Sequence, residues 1–243
     1  LKKYISSIFF TFEILYTNLV SYSIKSSLLL SYKTLYKYLF LLGLSLVLTC
    51  CSVEKNTGSS RFYQGMTARY NIYFNGYESF KAGLVKISRG HQDDYGELLK
   101  VFDYSDPSTT SLCSSDMERA IQKASKLISL KSITAKPNLK DSPELSEKDK
   151  KFLERKEFNE WVDDSYLLIG KARFYKHEYN EASAVLQYCI TNANDPEIRK
   201  EATIWLARIY NETSNYSESL RLLNDMDMST GFSKYLKSMY FTT

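Results

Sequence analysis

Two adjacent thiols, Cys50 and Cys51, close the run LFLLGLSLVLTCC, and theirs is the chemistry most easily named. A cysteine directly after a short apolar segment is the group that lipoprotein processing acylates before cutting the chain in front of it, so that fatty acids become the anchor. The residues ahead of Cys51 are Leu48, Thr49 and Cys50, and those ahead of Cys50 are Val47, Leu48 and Thr49; either set fits a loose processing signal. A disulfide between neighbours is disfavoured, because consecutive Cα atoms lie about 3.8 Å apart, below the usual disulfide span. Cys113 and Cys189 could pair in an oxidising compartment. Cys189 falls on the apolar stripe of a helix, however, and a buried free thiol is the expectation there.

Other reactive side chains form no catalytic set. His91 with Asp93 and Asp94 sketches one corner of a metal site, but such a site needs three or four rigid ligands, and the chain has only two histidines. An acidic loop is the expectation. His177 falls in a turn between helices, where an exposed position is expected. The pair Asp163-Asp164 stands at a helix start, where carboxylates complement the macrodipole. Neither a Gly-rich phosphate loop nor a nucleophile elbow is present. The reading is therefore of a protein that is not an enzyme, with no metal and no cofactor beyond a covalent lipid.

The elements that carry these residues follow from length and pattern. A membrane-spanning helix needs about 20 apolar residues, whereas Leu39–Leu48 is half that and is preceded by Lys33 and Lys37, the profile of a signal peptide. Residues 1–34 are rich in Ser, Tyr, Leu and Ile, too polar to span, and no Met occurs before Met66, so they read as an upstream extension foreign to the folded protein. Residues 35–50 are then a lipoprotein signal peptide, 51–65 a flexible polar tether, and 66–243 a helical domain. The net charge of +4, with 25% charged residues of both signs interleaved, excludes a nucleic-acid bias. With nine Gly and four Pro, long helices are allowed and a turn-dense β protein is not.

Within the domain, Ala68, Ile72, Phe80, Leu84 and Ile87 flank Asn75-Gly76, which predicts a helix, a turn and a second helix. Ser115 and Glu118 form a capping box that should open the next helix, on which Met117, Ala120, Ile121, Ala124, Leu127 and Ile128 recur at helical spacing. Ser142-Pro143 should cap a long charged helix running towards Trp161.

The last third repeats itself. Tyr166, Ile169, Gly170, Ala172, Tyr179, Ala182, Leu186 and Cys189 stand at the spacing of a tetratricopeptide repeat. About 37 residues on, Leu206, Ala207, Tyr210, Tyr216, Ser219, Leu223 and Met226 echo them. Repeats are expected at about 163–196 and 200–233, with Gly170 and Ala182 allowing close helix approach and Tyr179 and Tyr216 plugging the turns. A further stripe of Phe232, Tyr235, Leu236 and Tyr240 ends the sequence on an apolar face rather than a polar cap, so the domain is expected to continue. The fold class is all-α: a helical-hairpin solenoid behind a lipoprotein signal. Its first helices should line a groove with Asp164, Leu167, Lys171, Phe174 and Tyr175 from one repeat and Glu201, Ile204, Arg208, Asn211 and Glu212 from the next. Mixed charge around aromatics suits a protein segment.

Three blocks carry a resemblance: CSVEKNTGSSRFYQGMTARYNIYFNGYESFKAGL, DMERAIQKASKLISLKSITAKP and EFNEWVDDSYLLIGKARFYKHEYNEA. They resemble the N-terminal part of the PorW/SprE lipoproteins, the tetratricopeptide lipoproteins of the type IX secretion system and gliding motility in Bacteroidota. The resemblance covers nearly everything from Cys51 onward. It implies lipidation at Cys51 and a place on the periplasmic side of the outer membrane, with the protein bridging the secretion translocon to the periplasmic ring. Cys50 is larger than the small residue usual before the cut, and the family's members are several times longer. The competing expectation is a glycan- or nutrient-binding outer-membrane lipoprotein, whose 20 tyrosines would stack on sugar rings from a loop platform.

Overall fold

The computed structural model describes residues 37–38, 55–137, 146–226 and 232–243. The chain divides into two compact units, Leu1–Cys50 and Cys51–Thr243. Of the expected signal segment only Lys37 and Tyr38 are described; Leu39–Leu48, Cys50 and Cys51 lie outside the described residues, as does the Ser142-Pro143 cap.

The second unit is an all-α solenoid, and no strand occurs among the described residues. Its elements are α1 (Gly58–Thr67), a π-helical turn (Ala68–Tyr73), α2 (Phe74–Gly90), a 3-10 turn (Asp103–Ser105) and α3 (Thr109–Lys131). There follow α4 (Glu147–Glu154), α5 (Glu160–Tyr175), α6 (Tyr179–Asn192), α7 (Pro196–Glu212), α8 (Tyr216–Asn224) and α9 (Lys234–Phe241). Packing runs along the chain: α2 on α3, α3 on α5, α5 on α6, α6 on α7 and α7 on α8, with α7 also meeting α5 and α9.

Helix α5 is the keel. Its Leu168, Ile169 and Ala172 join Phe80 and Ile87 of α2 and Cys113, Met117, Ala120, Ile121 and Ala124 of α3 in one buried cluster. Leu167 and Phe174 join the other large cluster, with Leu186 and Cys189 of α6, Ile204, Trp205 and Ile209 of α7, and Leu236 and Met239 of α9. With apolar residues on two sides packed into different clusters, α5 is enclosed between its neighbours. Every apolar cluster among the described residues draws on Ala68 and beyond, so the second unit carries its own core.

The two hairpins close identically. Glu178 N–H donates to Arg173 O at 3.0 Å and His177 N–H to Phe174 O at 2.9 Å, while 37 residues later Asn215 N–H donates to Tyr210 O at 2.7 Å and Ser214 N–H to Asn211 O at 3.1 Å. These are Schellman closures, with His177 and Ser214 both at φ 58° in the left-handed region. Gly170 lets α6 approach, since a Cβ there would stand 2.7 Å from Leu186 Cδ2.

Several expectations need correction. The polar stretch expected as a tether is helical from Gly58: Thr57 Oγ1 accepts from Ser60 N–H at 3.1 Å, and Asn56 donates to Ala135 O at 2.7 Å, tying the start of the helix to the end of α3. Asn75-Gly76 is no turn but lies inside α2. Gly76 is there for closeness, as its Cβ would meet Lys123 Cβ at 3.1 Å. Helix α3 begins at Thr109, so the Ser115 and Glu118 box is interior, and Glu118 pairs with Lys176 at 2.8 Å instead.

The long charged helix towards Trp161 breaks after Glu154, because Glu157 is committed elsewhere. Its Oε1 accepts backbone N–H groups of Ile133, Phe158 and Asn159 at 2.8 to 2.9 Å, and its Oε2 accepts from Ser132 Oγ, which holds residues 155–159 against the end of α3.

Candidate functional site

The groove expected from the repeat resolves into core, paired polar groups and one free corner. Leu167, Phe174 and Ile204 are not groove residues: they are buried to 6%, 1% and 0% exposure. The first helices of these repeats are enclosed between neighbours on both sides, so positions that would face a groove on a two-layer hairpin face another helix here. Tyr175 likewise packs edge-on against Phe80, Tyr104, Phe174 and Trp205.

The polar members mostly answer one another or α9. Lys171 donates to Glu201 Oε1 at 2.8 Å and lies 5.7 and 5.6 Å over the rings of Phe80 and Trp205. Glu201 also accepts from Trp205 Nε1 at 3.3 Å and from the Tyr235 hydroxyl at 3.2 Å. Arg208 stands 4.8 Å over Trp205 and donates to the hydroxyls of Thr243 and Thr242 at 3.0 and 3.2 Å, while Asn211 donates to Thr243 O at 2.7 Å. Glu212 accepts from Ser105 Oγ at 2.6 Å. In the second repeat the inner face is therefore taken by α9, the stripe read from Tyr235, Leu236 and Tyr240.

Asp164 is the exception. Burial, reinforced by the charges of Asp163, Asp195, Glu160 and Glu201, pushes its carboxyl up to about 7. It borders a cavity of about 710 Å³ between α1 and the N-terminal ends of α5 and α7, lined also by Arg61, Phe62, Trp161, Asp195 and Ile198. Asp163, on the same wall, is held by Asn194, whose backbone N–H donates to its Oδ2 at 2.8 Å. Neither cap of these helices uses Asp164: Asn159 Oδ1 accepts from Trp161 N–H, and Asp195 Oδ1 from Glu197 N–H.

Across the inner surface stand Tyr73, Tyr77 and Tyr235. Burial first, and then the acids Asp164 and Glu201, raise the hydroxyl of Tyr73; burial and Glu201 raise that of Tyr235. Tyr73 stacks on Tyr77 at 6.0 Å and meets Trp161 at 5.1 Å. Arg61 and Phe62 were not legible as site residues, because they fall in the stretch 51–65 that reads as a polar tether. The trace available was the recurrence of aromatics at Phe62, Tyr70 and Phe74.

Both histidines serve structure. His177 is half-buried, not exposed as expected: its Nε2–H donates to Tyr104 O at 2.8 Å and its ring stacks on Tyr179 at 5.3 Å. Tyr179 packs against Phe174 and plugs its turn. Tyr216 does not, being 60% exposed, since Ser214 offers no ring where His177 does. His91 lies 3.2 Å from Asp93 and 3.6 Å from Asp106. Among the described residues no three His, Cys, Asp or Glu side chains converge on one point. Cys113 and Cys189 are buried and free, and burial pushes the Cys189 thiol up to about 12, an inert form.

Paired antiparallel helices, repeated at a fixed interval and closed by the same turn, define a helical-repeat scaffold of the kind that mediates protein–protein interaction. A model of the tetratricopeptide repeat-like domain matches residues 115–237, half of the chain, and the chain belongs to that family. No curated protein matches it. The fold is generally a non-catalytic scaffold.

Proposed function

We propose that this protein is a lipoprotein scaffold, acylated at Cys51 and held on the periplasmic face of the outer membrane, which docks components of the type IX secretion translocon and its periplasmic ring and so supports secretion and gliding motility. The observation that carries the reading is the block WVDDSYLLIGKARFY, one of the blocks that resemble the secretion lipoproteins. It forms α5, the helix on which both core clusters meet, and it supplies Trp161 and Asp164 to the cavity. Resemblance and architecture thus coincide on one element. A half-buried acid beside Trp161, with Arg61 and Arg155 on the rim, suits a partner segment that brings a basic side chain to an aromatic anchor.

Palmitate labelling of the full chain in a bacterium that processes lipoproteins tests the anchor. Label is expected on the natural chain and on Cys50→Ala, and none on Cys51→Ala; label kept by Cys51→Ala and lost by Cys50→Ala would move the site. For docking, pull-down of secretion components by the natural chain should be lost with Asp164→Lys. Equal recovery from both would remove the cavity from the proposal.

A further inference from the structure

Between Asn56 and Phe80 the buried and exposed faces both advance in steps of four. Asn56, Ser60, Gln64, Ala68, Gly76 and Phe80 are buried and Ile72 is half-buried, while Phe62, Met66, Tyr70 and Phe74 are 73%, 43%, 61% and 54% exposed. On a regular α-helix each step of four drifts by about 40°, so both stripes would spiral off their faces within three or four steps. The π-helical turn Ala68–Tyr73 has the same right-handed sense but turns less per residue in its wider i→i+5 turn, so that a step of four there falls short of a full circle and offsets the drift. What it preserves is a straight aromatic and thioether edge, directly opposite the edge that packs on α3.

Charge points to the occupant. From Lys55 to Gly90 there are six Lys and Arg against a single Glu; Lys81 pairs with Glu78 and Lys86 with Asp116 of α3, and Lys55, Arg61, Arg69 and Arg89 remain as the basic bias of a limb that meets an anionic surface. Arg69, 5.1 Å over Tyr70, stands at this edge. Reach points the same way. Fully extended, the residues from Cys51 to Thr57 span about 25 Å, so an acyl chain on Cys51 would keep the start of α1 within that distance of the bilayer. We infer that the edge formed by Phe62, Met66, Tyr70 and Phe74 lies in the headgroup region of an anionic phospholipid bilayer, making α1 and its π-turn a second, non-covalent membrane contact. The inference rests on the lipoprotein reading for its geometry, and its test does not use the lipid. Exposed aromatics seated at the interface, with basic residues beside them, are the standard composition of a helix lying in the membrane plane.

The measurement is partition of the Cys51–Thr243 unit, carrying Cys51→Ser so that no acyl chain contributes, onto vesicles of phosphatidylethanolamine and phosphatidylglycerol. Partition should fall about tenfold in Phe62→Ser/Phe74→Ser, two anchors removed at constant charge. It should weaken in high salt, and remain unchanged in Tyr188→Ser/Leu220→Ser, which clears exposed apolar groups from α6 and α8 instead. Circular dichroism checks that helix content survives; if it does not, Tyr70→Ser alone replaces the double variant. Absent partition, or equal partition of all variants, overturns the inference. So does a lipid-free dimer that the Phe62→Ser/Phe74→Ser change splits, which would make a second copy the occupant. Loss of palmitate from Cys51 with partition intact would instead sink only the anchor reading.

Discussion

The α5–α8 limb and the α1–α3 limb are built from the same part, an antiparallel helix pair brought close by glycine, yet they use their surfaces in opposite ways. In the first, Gly170 faces Leu186; in the second, Gly83 faces Met117, with a Cβ on either glycine 2.7 Å from the neighbouring side chain. Thereafter they diverge. The α5–α8 turns are short and identical, and the polar groups of the inner face are answered by α7 and α9. The α1–α3 limb has a π-turn, an eighteen-residue connection from His91 to Ser108 that returns Tyr104 to the other limb's core, and an aromatic edge that nothing among the described residues covers. A repeat whose inner face is self-complementary extends the solenoid. A limb that departs from the repeat is where new contacts are made.

The largest contrast is between two phenylalanines. Phe174, enclosed by Tyr104, Tyr175, Tyr179 and Trp205, should lose about 3–5 kcal/mol of unfolding free energy on change to Ala, whereas Phe74→Ala should stay within about 0.5 kcal/mol. Urea titration of both variants reads this, and equal losses would erase the distinction between the limbs. Next come two glycines. Gly170→Ala should cost about 1–3 kcal/mol by overpacking Leu186, while Gly65→Ala, whose Cβ meets nothing within 4 Å, should gain about 0.5–1 kcal/mol from helix propensity.

The third sharpens the cavity. The folded-state value of Asp164, about 7, lies above that of a carboxyl in the unfolded chain, so the native state holds a proton that the unfolded chain has released. Its contribution is therefore complete below pH 4 and is lost as pH climbs towards 7, with Asp163, also raised by burial, adding the same sign. Asp164→Asn should flatten the decline in urea midpoint between pH 4 and 7. An unchanged slope would take Asp164 off the list of buried acids. The smallest effect is at the turns. Ser214→Gly should stabilise by up to about 1 kcal/mol by relieving the left-handed φ, and His177→Gly should gain less, since it forfeits the bond to Tyr104 O.

Periodicity gave the helices of the repeat and their pairing, because small and apolar positions there answer to one neighbour at a time. It misplaced Leu167, Phe174 and Ile204 because a groove position and a core position carry the same residue type when a further helix covers the groove. The capping box at Ser115 misled for a related reason: Asp106 already accepts from Ser108 N–H at 2.8 Å, which lets α3 start about two turns sooner. Helix α1 escaped notice because its buried positions, Ser60 and Gln64, are polar. The π-turn has no composition of its own; only a four-residue step on both faces betrays it.

In-cell photo-crosslinking from position 164 of the full chain tests the scaffold reading most directly. The account predicts crosslinks to translocon or periplasmic-ring proteins of the secretion system, which disappear when Cys51→Ala removes the anchor. Crosslinks confined to the chain itself, in cells whose secretion is intact, would contradict it.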